Sequence, residues 1–275
     1  MKKPFCSVIG VVLICAAMSA CSVIDFNYNP PGSVVGTPAD GTETNDGSSR
    51  SVESDETDEG DDVYIQTAAH IEVFEEGDSV IEYVVVTGLP DFELQTALND
   101  ELKNFFTWPL FDSENPDKTI TSTARFTIIG NKYISVRTYE TEYTDGAAYP
   151  INNAAAMVFS LDTGEFAGHL IDFINIDPDS RDITLLREAF DAGIFELVYP
   201  EEEFDGAADI VLEHIADSPH SAVFYLTETA LGLGVTGLPH AIGGYVLFEA
   251  DYDDIEELLT ERLLSALDGG LTYGN

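Results

Sequence analysis

From residue 63 onward, hydrophobic positions alternate with polar ones or recur at helical spacing. Residues 63–75 and 79–86 alternate with period two around Gly77-Asp78, which predicts two strands joined by a turn. Pro90-Asp91-Phe92 opens a helix, because Leu94, Leu98, Leu102 and Phe105 fall on one face at spacings of four, four and three. Trp108-Pro109 is expected to end it and leave 110–118 as a loop. Residues 119–129 and 132–143 alternate again, and Gly130-Asn131 between them is a two-residue hairpin signal. A strand over 154–161 closes at the Asp162-Thr163-Gly164 turn. Helical patterns follow at 182–196, weakened by Gly193, and at 206–216, with strands at 221–227, 230–235 and 244–250. Asp253 and Glu256 form a capping box ahead of a last helix, whose buried stripe is Ile255, Leu258, Leu259, Leu263 and Leu267. Hairpins punctuated by a few packed helices predict an α+β fold with a mostly antiparallel sheet.

The first 62 residues have a different character. Lys2 and Lys3 precede an apolar run over 7–17, which is too short to span a bilayer comfortably and reads as a signal peptide over 1–20. Met18-Ser19-Ala20-Cys21 resembles a bacterial lipobox, which implies that Cys21 is acylated and becomes the first residue after cleavage. Cys6 and Cys15 lie in the segment to be removed, so the mature chain is expected to hold no disulfide, thiol nucleophile or cysteine-based zinc site. Residues 22–62 carry 11 acidic residues and only Arg50 as a base, with no apolar period, which predicts a disordered acidic linker over 21–62. A flexible coil of that length averages roughly 35 Å end to end, and self-repulsion extends it.

The whole chain has 51 acidic and 11 basic residues, a formal charge of −40. That balance excludes nucleic acid as a direct partner, because a phosphate-backbone binder needs a basic surface. Hydrophobic residues at 44% still provide for a core. After residue 62 the count is 40 acidic against 8 basic, so the domain itself is expected to attract cationic partners or to be kept soluble by its charge. The few bases are expected to neutralise acidic neighbours.

Sites for familiar chemistry are missing. The histidines (His70, His169, His214, His220 and His240) form no His-Glu-x-x-His pair. No Gly-x-Ser-x-Gly elbow, phosphate-cradling loop or dinucleotide fingerprint occurs. Asn175, Asp177, Asp179 and Asp182 have some calcium-loop spacing, but Pro178 and Arg181 interrupt it and the turn glycine is absent, so it reads as a loop. No cofactor, metal or catalytic residue is expected.

Residues 81–83, Gly88-Leu89-Pro90-Asp91-Phe92-Glu93-Leu94-Gln95 and Leu98-Asn99 resemble a module shared by the extracellular region of RsiV-type anti-sigma factors and the peptidoglycan deacetylase PdaC, in which a strand runs through Gly-Leu into a helix bearing Gln and Asn. Tyr143-Thr144-Asp145-Gly146-Ala147, residues 159–164, 224–227 and 244–246, Tyr252 and the terminal helix resemble the C-terminal domain of unknown function of the same anti-sigma factors. The resemblance implies two modules, 63–118 and 119–275. The family's usual Gly-Ala-His is Gly146-Ala147-Ala148 here, and the loop before the last strand is 237–243 without its usual Tyr. Binding specificity is therefore expected in 144–153 and 237–243, with Asp145, Tyr149, Pro239, His240 and Tyr245 as candidate binding residues. Only six residues precede the apolar run, so no sigma-factor-holding cytoplasmic domain is expected, and no deacetylase domain is expected either. The combined expectation is a lipid-anchored surface protein, facing outside the cytoplasm, that binds lysozyme-like cationic proteins or cell-wall material without catalysis. The alternative is a peptidoglycan-active enzyme using a carboxylate pair.

Overall fold

The computed structural model describes residues 67–111, 118–176, 182–200 and 204–269. The signal peptide, Cys21, the acidic linker and the Asp177–Asp179 stretch all lie outside these residues. The fold is α+β with two sheets. In the first, β1 (Ala68–Glu76), β2 (Ser79–Thr87), β3 (Lys118–Ile129), β4 (Tyr133–Thr144) and β5 (Ile151–Ser160) lie in sequence order. The second has β6 (Glu196–Tyr199), β7 (Val223–Leu226), β8 (Ala230–Val235) and β9 (Val246–Asp251) in the order β6-β9-β8-β7. Every pairing is antiparallel except β2 with β3. Helices α1 (Phe92–Phe111), α2 (Thr184–Asp191), α3 (Ala207–Asp217) and α4 (Glu261–Gly269) pack around them. The first sheet draws β1 and β2 from before residue 118 and β3–β5 from 118 onward, so the described residues on the two sides of that point share one sheet and one hydrophobic cluster.

The parallel pairing covers only Val80–Thr121 and Ile81–Ser122. Beyond it, β2 has backbone groups that β3 does not reach, and buried groups of that kind need partners. Helix α1 supplies them. Asn99 accepts from the Val86 N–H at 2.7 Å and donates to its carbonyl at 2.9 Å, while Gln95 accepts from Leu89 N–H at 3.1 Å. Residues four apart share a helix face, so one stripe of α1 continues the sheet's hydrogen bonding. Asp91 caps the helix by accepting from Glu93 and Leu94 N–H. Leu98, Leu102 and Phe106 are buried against the sheet, and Leu94 and Phe105 only partly so.

Gly130 and Asn131 both have positive φ, as the primed hairpin turn requires. A Cβ on Gly130 would lie 1.9 Å from the Ala266 carbonyl, so the turn also seats α4.

Three elements differ from the sequence expectation. Helix α1 runs through Pro109 to Phe111, because a proline in the last turn disturbs little helix beyond it. Helix α2 stops at Asp191 instead of reaching 196. Gly193, at φ +72°, forms a left-handed cap in which Ile194 N–H reaches Ala189 O and Gly193 N–H reaches Phe190 O, freeing Glu196–Tyr199 to join β9 as β6. The capping-box helix at 253 is two 3-10 turns, Tyr252–Asp254 and Glu256–Leu258, and α4 starts only at Glu261. Asn175 draws this segment away from helical geometry by bonding the carbonyls of Leu258 and Leu259, through its backbone and side chain. Ile255, Leu258, Leu259 and Leu263 are buried as expected, and Leu267 packs against the same cluster.

Under α1 the sheet carries a polar seam. Glu140 is 9% exposed, and the buried hydroxyls of Ser122 and Thr138 have no hydrogen-bond partner among the described residues. Burial pushes the Glu140 carboxyl up to about 7, against the pull of Lys118 and with a push from Glu142.

Two stability predictions follow from these contacts. Asn99→Leu should cost about 2–3 kcal/mol in urea unfolding, because it orphans both Val86 groups in a part-buried position. Glu140 is raised in the folded state, so its contribution is full below the ordinary carboxylate range and is lost as pH climbs from about 4.5 to 7. Stability should fall by about 3 kcal/mol across that window, and Glu140→Gln should flatten the profile.

Candidate functional site

Two loops that are far apart in sequence meet at one end of the sheets. Gly244, at φ +90°, passes so close to β5 that a Cβ there would sit 2.1 Å from the Asn152 carbonyl. Thr236 accepts from Ala154 N–H at 3.1 Å, and Leu238 N–H closes the β8–β9 loop onto the Gly244 carbonyl. Within that loop His240–Ile242 forms a 3-10 turn ended by Gly243. The result is an exposed stack: the Tyr149 and His240 rings lie 4.7 Å apart and within 22° of parallel, with Tyr149 65% exposed. Pro239 precedes the turn and is exposed, and Asp145 lies in the exposed turn at the start of the β4–β5 loop, outside the stacked pair.

Tyr245 occupies a different layer. It is 8% exposed, stacks on Tyr199 at 4.1 Å and packs beside Tyr139 at 5.8 Å. Tyr199 donates to the Gly243 carbonyl at 3.4 Å, tying this layer to the loop that carries His240. Tyr245 therefore supports the loop from within and is not part of the exposed surface. Burial raises its phenol above the ordinary range, helped by Tyr199 and Tyr139, so it stays neutral.

Behind the tyrosines lies a group the sequence reading missed. Arg137 on β4 places its guanidinium 4.2 Å from the Tyr225 ring and 3.1 Å from Glu249, which also accepts from the Tyr225 hydroxyl at 2.8 Å. Tyr225 lies across Gly232 on the neighbouring strand, where a Cβ would fall 2.1 Å from the ring. The glycines in the pattern Ala-Leu-Gly-Leu-Gly-Val were the available signal, since glycine inside a strand marks close approach. Burial and then the Glu249 charge push the Tyr225 phenol up, so it acts as a donor and not as a base. Arg137 and Glu249 are 24% and 29% exposed, and their pairing locks the two sheets together beneath the loops.

Two histidine contacts were also not anticipated. His214 Nε2 lies 3.0 Å from Ser221 Oγ, which also lies 3.0 Å from the Ser218 carbonyl, so the pair closes the end of α3. His169 packs edge-on between Phe166 and His220, and burial and then the charge of His220 lower its pKa. Among the described residues no three His, Cys, Asp or Glu side chains gather as metal ligands. No helix among them is long and apolar enough to cross a membrane.

Tyr225→Phe should cost about 1 kcal/mol, whereas Glu249→Ala should cost about 3 kcal/mol by leaving the half-buried Arg137 without its partner. Urea unfolding of both and of the double variant should show non-additivity, because one hydrogen bond is lost in each.

No protein-family model matches this chain, and no curated protein matches it. Among solved structures it aligns with a member of the DUF3298 family from Bacteroides fragilis at 13% identity and a TM-score of 0.47, over 74% of this chain and 98% of that one. A DUF3298 family protein from Pseudomonas aeruginosa aligns at 12% identity and a TM-score of 0.41, over 72% and 94% of the two chains. Its structural neighbours thus include proteins of a family named as a domain of unknown function.

Proposed function

We propose that this chain is a non-enzymatic binding module, anchored by lipid on Cys21 and facing outside the cytoplasm, whose partner is a cationic protein of the lysozyme kind. The observation that carries this reading is the exposed Tyr149–His240 stack, built by two loops and backed by the packed Tyr199 and Tyr245 layer. Exposed aromatic rings held by their neighbours are favoured anchors in protein interfaces, since they contribute large area with little entropy to lose. The chain's charge of −40 supplies long-range attraction for a basic partner and makes the binding salt-dependent.

Calorimetric titration of the full chain, with Cys21→Ser to remove the lipid, against a basic lysozyme tests the proposal. Binding should weaken about tenfold in Tyr149→Ala/His240→Ala and should weaken further between about 50 and 300 mM salt. Absence of heat at low salt would overturn the reading. Retention on purified peptidoglycan without lysozyme binding would assign the wall as ligand, and release of soluble fragments would assign an enzyme.

A further inference from the structure

Four strands lie at sheet edges: β1 and β5 in the first sheet, β6 and β7 in the second. An edge strand offers unpaired N–H and C=O groups that another strand can match, and folded proteins keep such edges short or cover them. Strands β6 and β7 have only four residues each, and the Leu226 N–H of β7 is already bonded by Ser135. The free edge of β5 is met by Thr236 at Ala154 and by Phe166, which bridges to Phe159. Strand β1 has no such protection. Its nine residues run in unbroken register with β2, contain no proline, lysine or bulge, and pair with no described strand on their other edge. Ile71 and Val73, two residues apart on one face, are 39% and 55% exposed.

A segment that satisfies this edge must itself be an extended strand, and the sequence of β1 is complementary to itself. Two copies paired edge to edge about a two-fold axis perpendicular to the sheet run antiparallel and keep each face on its own side. With Ile71 on that axis, His70 of each copy faces Glu72 of the other, Ala69 faces Val73 and Ala68 faces Phe74. His70 already lies 3.3 Å from Glu72 within one copy, and the pairing adds the same kind of contact twice across the axis. Moving the axis to Glu72 sets two carboxylates against each other, and moving it to His70 puts Glu72 against Ala68 and loses both contacts. Glu75 and Glu76 fall beyond the pairing of Ala68 with Phe74. We propose that this chain forms a dimer in which β1 of two copies pair antiparallel about Ile71, joining the two five-stranded sheets into one. The β4–β5 loop with Tyr149 belongs to the far side of the sheet, so the dimer leaves it open and presents two such surfaces. Net charge opposes the dimer, with 40 acidic residues against 8 basic after residue 62, so screening by salt favours it.

Sedimentation equilibrium of the full chain carrying Cys6→Ser, Cys15→Ser and Cys21→Ser, over about 5–500 µM, tests the pairing. A reversible monomer–dimer equilibrium is expected, at least about fivefold tighter at about 300 mM salt than at about 30 mM. That salt dependence is opposite in sign to the one expected for a basic partner. Ile71→Lys should weaken the dimer at least about tenfold and keep the urea midpoint, because the site is exposed. The added base lowers the overall repulsion between copies, yet it sets two like charges on the axis. The register is read by copper-catalysed oxidation of single-cysteine variants in the same background. Directly opposed Cβ atoms lie about 4.5–5.5 Å apart, so Ile71→Cys should form a disulfide-linked dimer at least about tenfold faster than Val73→Cys. Random collision predicts the reverse, since Val73 is the more exposed of the two. Adding Ala69→Cys to Val73→Cys should restore rapid linkage. A monomer throughout the concentration range would leave β1 to a strand of another protein and overturn the proposal. So would an unchanged dimer in Ile71→Lys, or equal linkage of Ile71→Cys and Val73→Cys.

Discussion

Strand β4 is shared by two cores, and the arrangement of the protein depends on that double use. Its alternation sends Ile134 and Val136 into the cluster under α1, while Ser135, Arg137 and Tyr139 face the second sheet. Ser135 accepts from the Leu226 N–H at 2.8 Å, and Arg137 bridges to Glu249 on β9. Both are polar contacts buried or half-buried between apolar layers, where a hydrogen bond constrains position more than it adds stability. They set the height of β7, β8 and β9 over the first sheet. That height brings the β8–β9 loop onto β5 and lets His240 meet Tyr149.

Charge has two roles in the fold. The described basic side chains mostly join elements and only some of them neutralise a neighbouring acid. Arg262 donates to the Tyr133 hydroxyl and the Ala167 carbonyl, Lys132 to Ser265, and Lys103 lies over the rings of Phe74 and Tyr83. Lys118, Arg137 and Arg187 pair with carboxylates. With so few cations, most carboxylates face solvent, and the surface keeps the sign that the composition implies.

The Gln95 and Asn99 positions show how a sequence resemblance becomes a physical statement. In the sequence they carry a resemblance, and in the fold they bond backbone groups of Val86 and Leu89. Their role is structural, and it ties α1 to the end of β2. Asp145 and Pro239 remain exposed loop residues, and Tyr245 turned from a surface candidate into a packed support.

The strand and helix periods were legible because burial on one face imposes a local repeat of two or near four, and the Gly130-Asn131 hairpin because only a few residues accept positive φ. Charge balance and the absence of catalytic motifs were equally a matter of composition and spacing. The tertiary structure alone decided that Glu196–Tyr199 is a strand, since β9 supplies the hydrogen bonds that the sequence around Gly193 leaves available. It alone decided the Arg137–Tyr225–Glu249 group and the Tyr149–His240 stack, whose members come from separate segments and share no local pattern. Local sequence encodes which face of an element is buried. Which distant side chains meet depends on how two sheets settle against each other, and that follows only when all the buried faces are satisfied together.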